Sequence, residues 1–187
     1  MRKKRGLRGQ RTPCSFERSA SKALRVLGID PGTAATGYGV VELRNGSLTS
    51  IAHGVIATSP RQPFPLKLQT IHKTLQAIIG QHRPGCAVVE GLFFAKNVRT
   101  ALQLGQARGA VLLAVVEAGL EVFEYSPLEV KGAVTGFGRA SKGQVQRMVA
   151  SLLKLSLVLP AADAADALAL AICHIHGLAL KTRMAKV

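Results

Sequence analysis

The stretch Leu24-Arg25-Val26-Leu27-Gly28-Ile29-Asp30-Pro31-Gly32-Thr33 decides how the chain is read. An apolar run ends on a carboxylate and breaks at once into a Pro-Gly turn. Aliphatic and β-branched residues favour a strand, and Pro31-Gly32 ends it. Asp30 then stands at the C-terminal tip of a buried strand, where open α/β sheets place their ligands. Asp, Pro and Gly are also common turn residues, so the stretch alone reads equally well as a plain turn. The other carboxylates decide between the two.

Working outward, residues 36–43 and 47–57 are strand-like, and Asn45-Gly46 between them is a strong hairpin signal. With residues 25–30 they form an antiparallel meander. Residues 60–65 read as a loop. A helix over 66–82 carries Leu68, Ile71, Leu75, Ile78 and Ile79 on one face, and Arg83-Pro84-Gly85 closes it. Residues 86–90 are a short apolar strand that also ends on a carboxylate, Glu90. Small residues Gly105, Ala107, Gly109 and Ala110 in a long helix over 98–118 permit close packing on a neighbour. A strand over 120–125, a short helix over 127–135 and a Gly-rich loop over 136–140 carrying Arg139 follow. Ser141 caps a helix to residue 155, and Pro160 opens a last helix to about residue 180. The class is α/β, a mixed five-stranded sheet flanked by helices. This element order is that of the ribonuclease H-like fold.

The chain of 187 residues has a net charge of +15, which points to an anionic partner, nucleic acid above all. Residues 1–22 hold eight Lys or Arg against one acid, Glu17, and the rest of the chain seventeen against nine, so the body is basic by itself. Residues 1–22 read as a disordered basic tail and 23–187 as one nuclease domain. The tail suits a DNA-binding arm, a transit peptide or a start codon assigned too far upstream. No run of eighteen apolar residues occurs, which argues against a membrane span. Three cysteines, Cys14, Cys86 and Cys173, have no metal-ligand spacing. Cys86 and Cys173 read as reduced core residues of a cytoplasmic protein.

Four acids belong together. Asp30 and Glu90 end apolar strands, while Asp163 and Asp166 are three apart on a helix and so share a face. A first-turn acid is also favoured by the helix macrodipole, which would explain Asp163 without chemistry. Asp166, among Ala and Leu, is harder to explain so. For Glu90 the plainer role is a cap or an ion pair with Lys96 or Arg99. Clustered carboxylates repel, and divalent cations relieve that repulsion; oxygen ligands of this kind suit Mg²⁺ or Mn²⁺. Two such ions ~4 Å apart can activate water and stabilise the leaving oxygen of a phosphodiester. A glycosidase also needs two carboxyls but has no use for a basic surface.

The chain resembles the RuvC-type crossover-junction (Holliday-junction) endonucleases, over about residues 24–177. The resemblance rests on Gly28-Ile29-Asp30-Pro31-Gly32, on Val89-Glu90 followed by Phe93, on Ala95-Lys96-Asn97 and on Leu104-Gly105-Gln106-Ala107-Arg108-Gly109. Val130-Lys131, Lys142 with Gln144-Val145, and Asp163-Ala164-Ala165-Asp166-Ala167-Leu168 complete it. It implies that Asp30, Glu90, Asp163 and Asp166 are the catalytic, metal-binding acids, with two Mg²⁺ (or Mn²⁺) ions per subunit. It implies Lys131 and Lys142 near the scissile phosphate and Phe93 as an aromatic at the junction centre. Arg139 is a further candidate for DNA. The resemblance also implies symmetric paired nicks, a homodimer and RuvA/RuvB-type branch-migration partners. Helix 98–118 is the expected interface. Gly91 departs from the family, in which a polar residue such as Gln often follows the Glu.

Two rivals compete. The actin and sugar-kinase ATPases share the Gly-Ile-Asp-x-Gly-Thr loop but need a duplicated domain and a longer chain. A junction-binding module without catalysis would gain nothing from four acids facing phosphate.

Overall fold

In the computed structural model the described residues are 23–91, 97–155 and 161–184, without the side chains of 181–183. The basic tail, Phe93 and Pro160 lie outside them. Among the described residues are five strands, β1 (Leu24–Asp30), β2 (Ala35–Arg44), β3 (Ser47–Ala57), β4 (Cys86–Glu90) and β5 (Glu121–Tyr125), in the order β3-β2-β1-β4-β5. The first three pair antiparallel; β4 pairs parallel with β1 and with β5. Asn45 and Gly46 both take positive φ, 52° and 79°, the geometry that lets a two-residue loop follow strand twist.

The helices are α1 (Phe64–His82), α2 (Val98–Glu117), α3 (Pro127–Thr135), α4 (Lys142–Leu152) and α5 (Ala162–Met184). Helix α1 begins two residues earlier than the sequence reading places it, because Pro65 occupies the first turn, where a missing N–H is harmless. Ser126 and Ser141 open α3 and α4 through capping boxes with Glu129 and Gln144.

Two apolar layers follow from strand alternation. Leu27, Ile29, Ala87 and Val89 face α1 and α2; Val26, Cys86 and Val88 face α5, with α3 and α4 outside it. Helix α5 lies across β1 and β2, and three glycines let it approach. A Cβ on Gly28 would stand 1.9 Å from the Ala167 carbonyl oxygen, one on Gly37 2.0 Å from that of Asp163, and one on Gly39 2.7 Å from Leu168. Ala162–Leu180 is long and apolar enough to cross a membrane by length and composition, a property a search for an unbroken apolar run passes over. In the fold, 61% of that window is buried, as befits a core helix.

Candidate active site

Alternation along β1 and β4 settles where their terminal acids point. Asp30 follows Val26 and Gly28 in parity, and Glu90 follows Cys86 and Val88, so both belong to the face covered by α5. The parallel register sets Ile29 beside Val89 and therefore the two strand ends side by side. Helix α5, seated on the glycines, brings Asp163 and Asp166 over them. Carboxylate oxygens of Asp30, Asp163 and Asp166 lie within 4.8 Å of one another. Glu90 is outside that tight group but near enough to Asp30 for the two carboxyls to repel.

The electrostatics register this crowding. Burial first, then repulsion from Glu90, Asp166 and Asp163, pushes Asp30 from 3.8 up to about 7. Burial, then Asp166, raises Glu90 as well. Lys142 Nζ sits 2.7 Å from Asp166 Oδ2, and this hydrogen bond raises the lysine above its ordinary range.

Beside the acids is a cleft of about 160 Å³ whose walls include Glu90, Asp166, Lys131 and Lys142. Two of the acids and both lysines expected from the sequence thus share one opening. Arg139 is exposed on the loop after α3 and is not among the cleft's lining residues.

Arg108, which the sequence shows only as one residue of the α2 motif, has a role that no sequence pattern assigns. It is 5% exposed, its guanidinium donates to the Glu90 carbonyl, and it pairs with Glu124 at 2.6 Å. Gly91 donates its N–H to the Tyr125 carbonyl at 2.9 Å, so the exit from β4 is held on both sides. The signal was present: Arg108 falls on the α2 face that buries Ala107, Val111, Ala114 and Val115. A charge on an apolar face needs a partner.

The fold and this site define a class, a ribonuclease H-like domain with a carboxylate centre at the carboxyl ends of β1 and β4 and a lysine-lined cleft beside it. Comparison with known proteins narrows the class. The crossover junction endodeoxyribonuclease RuvC family profile matches residues 26–174. RuvC of Pelotomaculum thermopropionicum is 52% identical over 151 residues, covering 81% of this chain and 92% of that protein. RuvC of Chloroflexus aurantiacus is 52% identical over 153 residues, 82% of this chain and 93% of that one. The structure of T. thermophilus RuvC in complex with Holliday junction substrate superposes with a TM-score of 0.81 at 36% identity, covering 85% of this chain and 97% of that one. The chain belongs to the RuvC family of crossover junction endodeoxyribonucleases.

Proposed function

We propose that this chain is a structure-selective DNA endonuclease that resolves Holliday junctions in recombination and repair, by metal-dependent hydrolysis of two symmetrically placed phosphodiesters. The observation that carries the reading is the grouping of three carboxylates within 4.8 Å beside a cleft lined by two lysines. Family membership supports the substrate.

The residues fit a hard divalent cation: all donors are carboxylate oxygens, and their mutual repulsion is what such a cation relieves. Asp30, Glu90, Asp163 and Asp166 would hold Mg²⁺, with Mn²⁺ as a substitute and two ions per subunit. When bound, the cations supply a water of lowered pKa and positive charge for the phosphate oxygens. The remaining work falls to side chains. Asp166 fixes the Lys142 ammonium at the cleft, and Lys131 adds a second positive charge to its wall, so a phosphate entering there meets two cations. Negative charge growing on the phosphate is stabilised by donors already in place. Arg108 holds the backbone from which Glu90 projects. Arg139, outside the cleft lining, and Phe93 are the further DNA contacts expected.

Two like cuts require two sites related by a two-fold axis, hence a homodimer. Helix α2 supports this reading, since Val98, Leu102, Leu113 and Val116 are 76%, 65%, 53% and 61% exposed. At 100° per residue they fall within about 60° on the face opposite the buried Ala107, Val111 and Ala114, with Gly105 and Gly109 between them in sequence. RuvA/RuvB-type branch-migration proteins are the expected partners. Residues 23–187 form the nuclease domain, preceded by the basic tail. The burial of Cys86 and Cys173 suits the reducing cytoplasm.

A synthetic four-way junction tests the reading. Paired symmetric nicks that need Mg²⁺, stop with chelator and vanish in Asp30→Asn while junction binding persists are the expected result. Metal-independent cutting, or undiminished cutting by Asp30→Asn, would refute it.

A further inference from the structure

A second groove, about 310 Å³, opens against α4, its walls including Thr135, Phe137, Gln144, Arg147, Met148 and Ser151. The last four follow the i, i+3, i+4, i+7 pattern of one helix face. Lys142 and Val145, also on α4, line the acid-bearing cleft instead. The helix is thus the wall between the two openings. Phe137 stands at the turn after α3, where Gly136 takes φ 77°, and the ring is 59% exposed. Arg147 is exposed and makes no ion pair among the described residues. Gln144 spends its carbonyl oxygen on the Ser141 N–H, leaving its amide nitrogen as a donor. Among the described residues no acid lines the groove.

An exposed ring beside an unpaired guanidinium, with amide and hydroxyl donors and no acid, is complementary to a sugar-phosphate backbone. We propose that this groove holds a duplex arm of the junction, with Arg147 on a backbone phosphate and Phe137 against the deoxyribose. The inference rests on the junction-nuclease reading and extends the DNA path beyond the cleft. A helix is about 10–12 Å across and a strand advances about 3.4 Å per nucleotide, so the contact falls about two to four nucleotides from the cut. The exposed Arg139, two residues after Phe137, lies on the same loop.

Binding of a four-way junction in chelator, measured from 50 to 200 mM salt, tests this. Arg147→Ala should weaken binding about fivefold or more and reduce the slope of log affinity against log salt by about 0.9, the signature of one lost phosphate contact. Arg147→Lys should restore the slope. Phe137→Ala should weaken binding by a similar factor with the slope unchanged. Methylphosphonates placed singly along the arm should weaken wild-type binding at two to four nucleotides from the cut and have no added effect in Arg147→Ala. Both side chains are exposed, so melting temperatures should stay at the wild-type value. Wild-type affinity and slope in both variants, with wild-type protein that binds and cuts junctions, would overturn the groove and leave the nuclease reading standing. That result would also be expected if the groove took a protein partner. Wild-type protein that neither binds nor cuts would overturn the reading beneath it.

Discussion

Raising the pH from 5 to 8 in chelator should destabilise the wild-type protein and affect Asp30→Asn far less. Asp30 is held at about 7 in the fold against 3.8 in the unfolded chain. Between those values the folded state binds more protons than the unfolded one, so stability is fully present below about pH 4 and is lost as pH rises toward 7. Taking 1.36 kcal/mol per pH unit of difference, the whole loss is about 4 kcal/mol, of which about 3 kcal/mol falls between pH 5 and 8. The loss is shared with Glu90, since two interacting carboxyls release their protons jointly. Glu90, also raised, adds a smaller slope of the same sign that survives the substitution. Urea unfolding at pH 5 and pH 8 measures both slopes. A second arm adds Mg²⁺ at pH 8, where a cation bound only by the folded state at a hundred times its dissociation constant stabilises by about 2.7 kcal/mol. Wild type should recover most of its loss, and Asp30→Asn should recover little. Equal pH slopes in the two proteins, or equal stabilisation by Mg²⁺, would refute the account of the acid cluster.

Lys142→Met should tighten Mg²⁺ binding in calorimetry several-fold, because the ammonium no longer competes for Asp166, yet slow junction cleavage about 100-fold through the lost phosphate donor. Gly28→Ala forces its Cβ against the Ala167 carbonyl and displaces α5 with its two aspartates; we expect about 1–3 kcal/mol of destabilisation by urea unfolding and a kcat about 100-fold lower. Arg108→Met, which strips the Glu90 carbonyl and Glu124 of their partner, should destabilise by about 3 kcal/mol. Arg108→Lys should regain much of that stability but little kcat, since a point charge cannot serve both groups at once. Leu102→Asp places charge on the outer stripe of α2 and should shift the protein to monomer in sedimentation velocity.

Much of the site was legible because its acids mark the ends of elements that announce themselves. Asp30 closes an apolar run before Pro-Gly, Glu90 closes another, and the Asn45-Gly46 turn forces the hairpin beside them. Asp163 and Asp166 share a helix face by spacing alone. Less legible was how near that helix could come. The glycines at 28, 37 and 39 read singly as weak points in strands, and only the packing shows them as one trough beneath α5. The role of Arg108 was missed for the same reason: its partners are a backbone carbonyl and a carboxylate on two strands, and no local pattern encodes either. The groove by Phe137 needed coordinates because its walls come from two helices and the turn between them.

The sheet divides two requirements of a paired cut between its faces. The acids lie on the α5 face, while the exposed apolar stripe belongs to α2 on the other. What joins them is the inner side of α2, from which Arg108 reaches the carbonyl of Glu90 at the sheet's carboxyl edge. The same helix begins at Asn97, whose side chain accepts from the Arg99 and Thr100 N–H groups and so fixes its first turn. A packed helix moves as a body. Any displacement of α2 by whatever covers its outer stripe is therefore passed to the strand end that carries Glu90, through one guanidinium held by Glu124. A lysine at that position could carry the charge but not the geometry.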